Sequence, residues 1–225
     1  MISKRLRVLS TLVPNGTIAC DIGTDHAYLP CELIRRGICS KVYACDIAEG
    51  PLKQAQKTIL EAGYSQQIST ILCPGFSKVP LDANSMIIAG MGWKTIEMIL
   101  EDDFERLTQF QRIILQSNRD VCMLRRWVSE HHMTIEEEKV VEDAGKTYEI
   151  VCLNTSFHES YTELEIKYGP ILLKRKDFEF LEYLDRRIAK NEVIASKVTD
   201  DTKKAQLYRE AEEMKQIRQQ YVKLQ

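Results

Sequence analysis

The alternation of strand and helix signals constrains the fold of this chain more than any other feature of the sequence. From residue 17 to about residue 130, short β-prone runs alternate with helix-like stretches, which is the pattern of a parallel sheet covered on both faces. The predicted strands are Thr17–Asp21, Lys41–Asp46, Ile68–Leu72, Met86–Ala89 and Arg112–Gln116. The predicted helices between them are Tyr28–Arg36, Pro51–Ala62, Thr95–Leu107 and Val121–His131.

A β-hairpin is predicted after the last of these helices. The runs Thr134–Glu142 and Thr147–Asn154 are rich in β-prone residues, and Asp143–Lys146 joins them with a turn that contains glycine. Parallel strands followed by a hairpin match the seven-stranded Rossmann-like sheet of class I methyltransferases better than an all-parallel dinucleotide-binding sheet. We therefore predict an α/β fold of that class.

Both ends of the chain are predicted to be helical. Residues 1–12 place leucines at helical spacing among basic residues, without the apolar block of a signal peptide. After residue 169, two apolar stripes flank a break at residues 199–201. They comprise Leu181, Leu184 and Ile188, then Leu207, Ala211, Met214, Ile217, Tyr221 and Leu224. We predict a catalytic domain over residues 1–168 and, over residues 169–225, an antiparallel two-helix appendage like a short coiled coil.

Composition narrows the functional class. No apolar run approaches the roughly 20 residues that span a bilayer, so we expect a cytoplasmic protein without membrane contact. The formal net charge of −2 argues against a strongly basic nucleic-acid protein, so any RNA contact would need a local basic patch. The seven cysteines never form a C-x-x-C motif, and we expect no metal site.

The turn after the first strand suits a nucleoside ligand that lacks phosphate. Residues 21–26 contain a single glycine, Gly23, so the G-x-G-x-x-G fingerprint of dinucleotide sites is absent. Asp25 would repel a pyrophosphate, whereas Asp21 and Asp25 would attract the sulfonium and ammonium groups of S-adenosylmethionine. The same aspartates would also suit a turn that caps the next helix, so this turn alone leaves both interpretations open.

Three more strand ends fall at the same edge of the predicted sheet. Asp46 ends the second strand, where a carboxylate accepts hydrogen bonds from the ribose of an adenosine, and Ile47 would then pack on the adenine. Pro74–Phe76 and Ala89–Gly92 follow the third and fourth strands. Each of these small-residue loops is also compatible with an ordinary turn, Pro74–Phe76 more so.

The fourth-strand loop excludes two methyl-transfer chemistries. It lacks the Asn/Asp-Pro-Pro-Tyr/Phe signature that is used on exocyclic amines, and it lacks a Pro-Cys nucleophile for attack on a pyrimidine carbon. A ring nitrogen stays plausible as the acceptor. Adenine N1 carries a lone pair at neutral pH, so its methylation needs positioning and stabilisation of a developing cation more than a strong base.

Taken together, these motifs resemble the bacterial tRNA (adenine-N1)-methyltransferase family that acts on the adenine at tRNA position 22. The matching segments are Ser3–Leu6, Leu12–Pro14, Asp21–Pro30, Asp46–Pro51, Ile88–Gly92, Leu115–Gln116, Leu124–Trp127, Tyr148–Ile150 and Gly169–Pro170. The resemblance implies an S-adenosylmethionine cofactor, a tRNA partner and a C-terminal helical hairpin. The chain departs from the family pattern at Pro74, Trp93 and Asn118.

The resemblance and the strand-end motifs together predict the site residues. The predicted cofactor-binding residues are Asp21, Gly23, His26, Asp46, Ile47, Pro74, Gly75, Phe76, Ala89, Gly90 and Met91. The predicted substrate-binding residues are Lys4, Arg5, Tyr28, Gly92 and Trp93. Trp93 would also suit packing at the start of the following helix, and this alternative is slightly favoured. Asp25 is the first choice for a catalytic partner of the target base and His26 the second, because loops after the first and fourth strands should flank the methyl group. A purely structural role for Asp25 in its own turn stays open.

Other functional classes stay open beside this prediction. A small-molecule methyltransferase, or one acting on another RNA, would share the cofactor motifs. An NAD-dependent oxidoreductase would need glycines that this chain lacks. A non-catalytic RNA-binding adaptor would not need the strand-end aspartates. The appendage is predicted to hold tRNA through Lys174, Arg175, Lys176, Arg186, Arg187, Lys203 and Lys204. The expected oligomeric state is a monomer or a weak dimer.

Overall fold

A seven-stranded mixed sheet organises the first part of the molecule. The computed structural model describes residues 2–175 and 177–222. The strands are β1 (Thr17–Ile22), β2 (Cys39–Asp46), β3 (Ile68–Leu72), β4 (Ser85–Met91), β5 (Arg112–Ser117), β6 (Met133–Asp143) and β7 (Lys146–Phe157). They lie in the order β3-β2-β1-β4-β5-β7-β6, and only the pairs that involve β7 are antiparallel. The predicted methyltransferase-type fold is confirmed.

The helices follow the strands in alternation. In the first part of the chain they are α1 (Lys4–Leu12), α2 (Tyr28–Arg35), α3 (Glu49–Glu61), α4 (Trp93–Asp102), α5 (Val121–Glu130) and α6 (Glu163–Tyr168). Helices α1, α2 and α3 cover one face of the sheet with a continuous apolar cluster. Helices α4 and α5 pack together on the other face. Because β1 lies between these two layers, nearly all of its residues are buried.

The direction of strand order reverses between β1 and β4. Asp21 of β1 pairs with Ala44 of β2 on one side and with Ile87 of β4 on the other. The loops that leave the carboxyl ends of β1 and β4 therefore turn to opposite faces and open a crevice between them, where ligands of such sheets bind.

The predicted hairpin is present, and its strands extend further than the sequence indicated. Ala144 and Gly145 form its two-residue turn with φ values of 50° and 73°, as a type I′ turn requires. Arg125 of α5 is 1% exposed and donates hydrogen bonds to Glu138 of β6 and Glu149 of β7, both at 2.7 Å. These ion pairs fix α5 to both strands of the hairpin.

Three local predictions are corrected by the structure. The predicted helix Thr95–Leu107 is divided, because Asp103 leaves helical geometry between α4 and a 3₁₀ segment at Phe104–Gln109. Helix α3 begins at Glu49 and not at Pro51. Helix α6 was not predicted, although Thr162 and Glu165 form the capping box that starts it.

The chain divides into two compact units, Met1–Gly169 and Pro170–Gln225. The second unit contains α7 (Pro170–Lys174), α8 (Phe178–Ala195) and α9 (Asp201–Val222). Two ion pairs, Lys215 with Glu192 at 2.8 Å and Arg218 with Asp185 at 2.5 Å, join α8 to α9 with opposite chain directions. The predicted helical hairpin is therefore present.

The apolar stripes that predicted this hairpin are largely buried in it. Leu184 and Ile188 of α8 are buried, as are Ala211, Met214 and Ile217 of α9. Lys176, Leu224 and the side chain of Tyr221 lie outside the described residues. No helix in residues 2–175 or 177–222 is long and apolar enough to cross a membrane.

Candidate active site

A cleft of about 410 Å³ opens at the carboxyl ends of β1 and β4. Nine of the predicted site residues line it: Arg5, Asp21, Gly23, Asp25, His26, Tyr28, Ala89, Gly90 and Met91. Leu6, Thr24 and Leu29 complete the lining and were not predicted. Residues from α1, from the β1–α2 loop and from the end of β4 are thus brought together, although they are far apart in the sequence.

The β1–α2 loop has an unusual backbone. Gly23, Asp25 and Ala27 have φ values of 76°, 47° and 55°, a left-handed region that is costly for alanine and tolerated by aspartate. A side chain at Gly23 would also overlap the methyl group of Met91. The amides of Gly23 and Thr24 both donate to the carbonyl of Cys45, at 2.8 and 2.9 Å. The loop is therefore held rigidly against β2 while its polar side chains face the cleft.

Asp21 supplies a buried carboxylate at the base of the cleft. Its side chain is 6% exposed. Burial raises the pKa of Asp21 to about 6, the Thr24 hydroxyl and the Arg5 guanidinium act to lower it, and Asp46 acts to raise it. A cation bound in the cleft would stabilise the charged form of this carboxylate.

Asp25, His26 and Tyr28 form the exposed rim of the cleft. Asp25 is 68% exposed, and its Oδ2 lies 3.5 Å from Nε2 of His26. The His26 ring stacks on Tyr28, with 5.3 Å between the ring centres and an interplanar angle of 16°. Tyr28 is 53% exposed, so an aromatic face is available at the mouth. The rim can thus offer both a negative charge and a stacking surface to a base.

Asp46 and Ile47, the predicted contacts for the ribose and the adenine, lie at the end of the neighbouring strand β2. They are not among the residues that line the cleft. Asp46 Oδ1 accepts a hydrogen bond from the amide of Ala48 at 3.0 Å, which fixes the carboxylate at the end of β2. Ile47 is 72% exposed. Its apolar surface would be covered by an adenine ring, which suits the predicted contact.

The loop after β3 adjoins Asp46, because the amide of Cys73 donates to the Asp46 carbonyl at 3.0 Å. Pro74 and Gly75 continue this loop. The ring of Phe76, which is also predicted to bind the cofactor, is fully buried and packs edge-on against Phe110. The Phe76 side chain therefore belongs to the core, and a cofactor contact at this residue would use its backbone.

Of the two interpretations of Trp93, the structure favours packing at the start of the following helix over substrate binding. Gly92 forms the N-cap of α4, and Trp93 begins the helix with 4% exposure. Its ring packs edge-on against Trp127, with 6.1 Å between ring centres. Trp93 therefore has no open face on which a base could stack, and it acts as a core residue. Lys4 is exposed on α1 and does not line the cleft.

A polar network behind the cleft was missed by the sequence analysis. Arg5 donates to Gln116 Oε1, Gln116 donates to Asn118 at 3.1 Å, and Asn118 donates to the Gly90 carbonyl at 2.6 Å. Gly90 has a φ of 86° and interrupts the register of β4 with β5. Gln116 and Asn118 lie at the end of β5, which is the signal that could have assigned them to this edge.

The comparisons with known proteins decide the family. A family model described as tRNA (adenine(22)-N(1))-methyltransferase matches residues 19–220. The chain belongs to this methyltransferase family. A Bacillus subtilis protein, named tRNA (adenine(22)-N(1))-methyltransferase, is 32% identical over 187 residues, which cover 80% of this chain and 79% of the relative.

Two solved structures of similar proteins carry the cofactor or its product. Streptococcus pneumoniae Sp1610, described as a candidate tRNA (m1A22) methyltransferase, was solved with S-adenosyl-L-methionine. It has a TM-score of 0.86 and 31% identity, and the match covers 97% of this chain and 100% of Sp1610. M. capricolum TrmK, solved with S-adenosyl-homocysteine, has a TM-score of 0.81 and 30% identity, and the match covers 96% of this chain and 97% of that protein.

The cofactor of this methyltransferase family is S-adenosylmethionine. The residues of this chain fit it: Asp21 is a buried carboxylate suited to a cation, and Asp46 is a carboxylate at the neighbouring strand end, where a ribose can reach it. Within residues 2–175 and 177–222, no group of three His, Cys, Asp or Glu side chains could hold a metal ion.

Proposed function

We propose that this chain transfers the methyl group of S-adenosylmethionine to N1 of an adenine in tRNA, at the position 22 named for its relatives. One observation carries the proposal. A single cleft joins a buried carboxylate, a glycine-containing turn and an exposed polar rim at the switch point of a methyltransferase-type sheet.

We assign the cofactor-binding roles by charge and position. Asp21 would attract the amino group of the cofactor, Asp46 would accept hydrogen bonds from its ribose, and Ile47 would pack on its adenine. Gly23 permits the backbone to approach the ligand closely. The burial of Asp21 and the exposure of Ile47 support these assignments.

The target adenine would approach from the rim. Bound S-adenosylmethionine supplies an electrophilic methyl carbon, to which the N1 lone pair forms a bond as the carbon–sulfur bond breaks. N1 carries no proton, so the chain needs no base to remove one. Its residues would instead align the two reactants and stabilise the positive charge that develops on the adenine. Asp25 supplies an exposed negative charge on the rim for that purpose, and Tyr28 offers a stacking face.

Nucleoside mapping of tRNA from cells that lack this protein tests the proposal. N1-methyladenosine should disappear at position 22 and return when the wild-type gene is restored. Restoration with Asp46→Ala should return less of it, while the exposed control Asp102→Ala should return it fully. Unchanged tRNA in the deletion strain would favour the alternatives, a small-molecule methyltransferase or one that acts on another RNA.

We further propose that the helical hairpin of the second unit holds tRNA, and that the protein works in the cytoplasm as a monomer or a weak dimer. The hairpin would act through its Lys and Arg side chains, so tRNA binding should weaken with salt. A chain that ends at Gly169 should keep cofactor affinity and lose methylation. Normal tRNA methylation by that shortened chain would assign the hairpin another purpose.

A further inference from the structure

A second depression lies on the catalytic unit, between α1 and α2. It has a volume of about 620 Å³ and is lined by Ile2, Arg7, Thr11, Glu32, Arg35 and Arg36. We call it the arginine groove. The assignments made for the cofactor cleft use none of these residues. The groove is larger than that cleft, whose volume is about 410 Å³.

The charges in the arginine groove do not cancel. Glu32 is 7% exposed, and Arg35 binds both of its carboxylate oxygens, at 2.8 and 2.7 Å. Arg35 also holds the pKa of Glu32 below its usual value. The charges of Glu32 and Arg35 thus neutralise each other. Arg7 and Arg36 then give the groove two excess positive charges. A protein with a formal net charge of −2 concentrates positive charge here.

Arg36 is held in a defined orientation. Its Nη1 donates to the hydroxyl of Ser10 on α1 at 2.7 Å. A guanidinium group has five N–H donors, so this single bond leaves others for an anion. Arg7 is exposed on the facing side of α1. An arginine on α1 and an arginine at the C-cap of α2, the second held in place, suit phosphate groups, which accept bidentate hydrogen bonds from arginine.

The two helices that form the arginine groove also line the cofactor cleft. On α1, Arg5 faces the cleft and Arg7 the groove. On α2, Tyr28 lies at the cleft and Arg35 at the groove. An eight-residue helix is about 12 Å long, so a nucleotide with its base in the cleft has neighbouring phosphates within reach of the groove.

The excess positive charge of the arginine groove does not extend past Arg36. A third depression shares Thr11 and Arg36 with the groove and adds Arg112 and Glu137. Arg112 is already paired with Glu137 at 2.7 Å and with Glu136 at 3.5 Å. It therefore adds little free charge, and Arg7 and Arg36 are the residues of this surface on which an anion would act.

We propose that the arginine groove binds backbone phosphates of the tRNA that flank the adenine in the cleft. This inference rests on the proposed function, because it takes tRNA as the substrate. It differs from the role proposed for the hairpin of the second unit, because the groove residues belong to α1 and α2 of the catalytic unit. The groove would set the register of the substrate strand, which phosphate contacts do without reading sequence.

The test compares Arg7→Gln, Arg36→Gln and the double variant with Lys57→Gln, which removes one exposed charge from α3. Arg35 is kept because it pairs with buried Glu32. Equilibrium binding of unmodified tRNA is measured over a series of salt concentrations. We expect the slope of log K against log salt to fall by about one for each arginine removed. The double variant should bind tRNA about tenfold more weakly than Lys57→Gln, which should match wild type.

Two further measurements show whether Arg7 and Arg36 act only on the structure of the protein, and whether the proposed function itself fails. Cofactor affinity and thermal stability of the double variant should equal those of Lys57→Gln, and saturating tRNA should restore methylation at the same nucleotide. Equal tRNA affinity and equal slope in the double variant and Lys57→Gln would overturn the inference. The inference would also be overturned if the double variant lost affinity for AMP and for tRNA by the same factor, because the groove would then be a site for free anions. Absence of tRNA methylation by the wild-type chain would instead refute the proposed function.

Discussion

The β1–α2 loop and the β6–β7 hairpin place charged residues in opposite surroundings. At the contact between α5 and this hairpin, Arg125 of α5 is 1% exposed and lies 2.7 Å from both Glu138 and Glu149 of the hairpin strands. In the loop, Asp25 is 68% exposed and lies 3.5 Å from His26. The hairpin charges meet in a buried, fully bonded cluster, whereas the loop carboxylate stands at the mouth of a cleft on a left-handed backbone.

This difference separates residues that hold the fold from residues that are available to a ligand. A buried charge must be paired, so its partners determine its position and removal of one partner is costly. An exposed carboxylate on a rigid turn contributes little to stability and keeps its bonding capacity. We therefore expect substitutions in the cluster of Arg125, Glu138 and Glu149 to affect unfolding, and substitutions at the strand ends to affect cofactor binding and methyl transfer.

The largest effect is expected for Arg125→Met. This change leaves Glu138 and Glu149 without their shared cation, and it should lower the free energy of unfolding by about 3–5 kcal/mol. Denaturant unfolding measures this effect. Arg126→Met is the control, because neighbouring Arg126 binds Glu163 on the surface and should matter little. Equal stability of the two variants would contradict the claim that the buried charges hold the fold and the exposed ones do not.

Asp46→Ala should cause the next largest effect, on the cofactor. Loss of charged hydrogen bonds to the ribose should weaken S-adenosylmethionine binding about 10- to 100-fold. Titration calorimetry checks this value against Asp102→Ala, which removes an exposed carboxylate at the end of α4. Unchanged affinity in Asp46→Ala, or tight binding of NAD by the wild type, would contradict the assigned cofactor site.

Asp25→Asn should slow the chemical step about tenfold in single-turnover methyl transfer at saturating cofactor and tRNA. Asparagine tolerates the φ of 47° at this position, so the fold should not change. Cofactor affinity should stay near the wild-type value. A normal rate would remove Asp25 from the mechanism and leave alignment of the adenine as the source of catalysis.

The smallest effect is the pH dependence that Asp21 imparts. Its pKa is raised by burial to about 6, so protonation below that pH removes the charge that attracts the cofactor cation. Cofactor affinity should rise between pH 5 and pH 7 by at most about tenfold. Asp21→Asn should show no such rise. A wild-type profile as flat as that of Asp21→Asn would refute the assigned charge contact.

The same pKa has the opposite effect on the stability of the protein without cofactor. Because the folded-state pKa of Asp21 exceeds the usual 3.8, the folded protein binds more protons than the unfolded chain between about pH 4 and pH 6. This carboxylate should therefore make stability decrease as pH rises through that range. Thermal melting of wild type and Asp21→Asn at matched pH isolates the contribution.

The sequence predicted most of the fold because strand and helix periodicities are local signals. It located the β1–α2 loop because Asp21–His26 is contiguous. It missed Gln116 and Asn118 because their importance depends on Arg5 and on the Gly90 carbonyl, which meet them only in the folded sheet. The burial of the Phe76 and Trp93 rings depends on Phe110 and Trp127, which are distant in the sequence and meet them only in the folded protein.

The central claim is that the cleft at β1 and β4 methylates one adenine of tRNA. The most direct measurement incubates the purified chain with methyl-labelled S-adenosylmethionine and unmodified tRNA, and maps the modified nucleoside by mass. The account predicts N1-methyladenosine at position 22, no incorporation when that adenine is replaced by guanine, and none with Asp46→Ala at limiting cofactor. Equal labelling of the guanine-substituted tRNA, or labelling at a carbon or exocyclic amine, would contradict it.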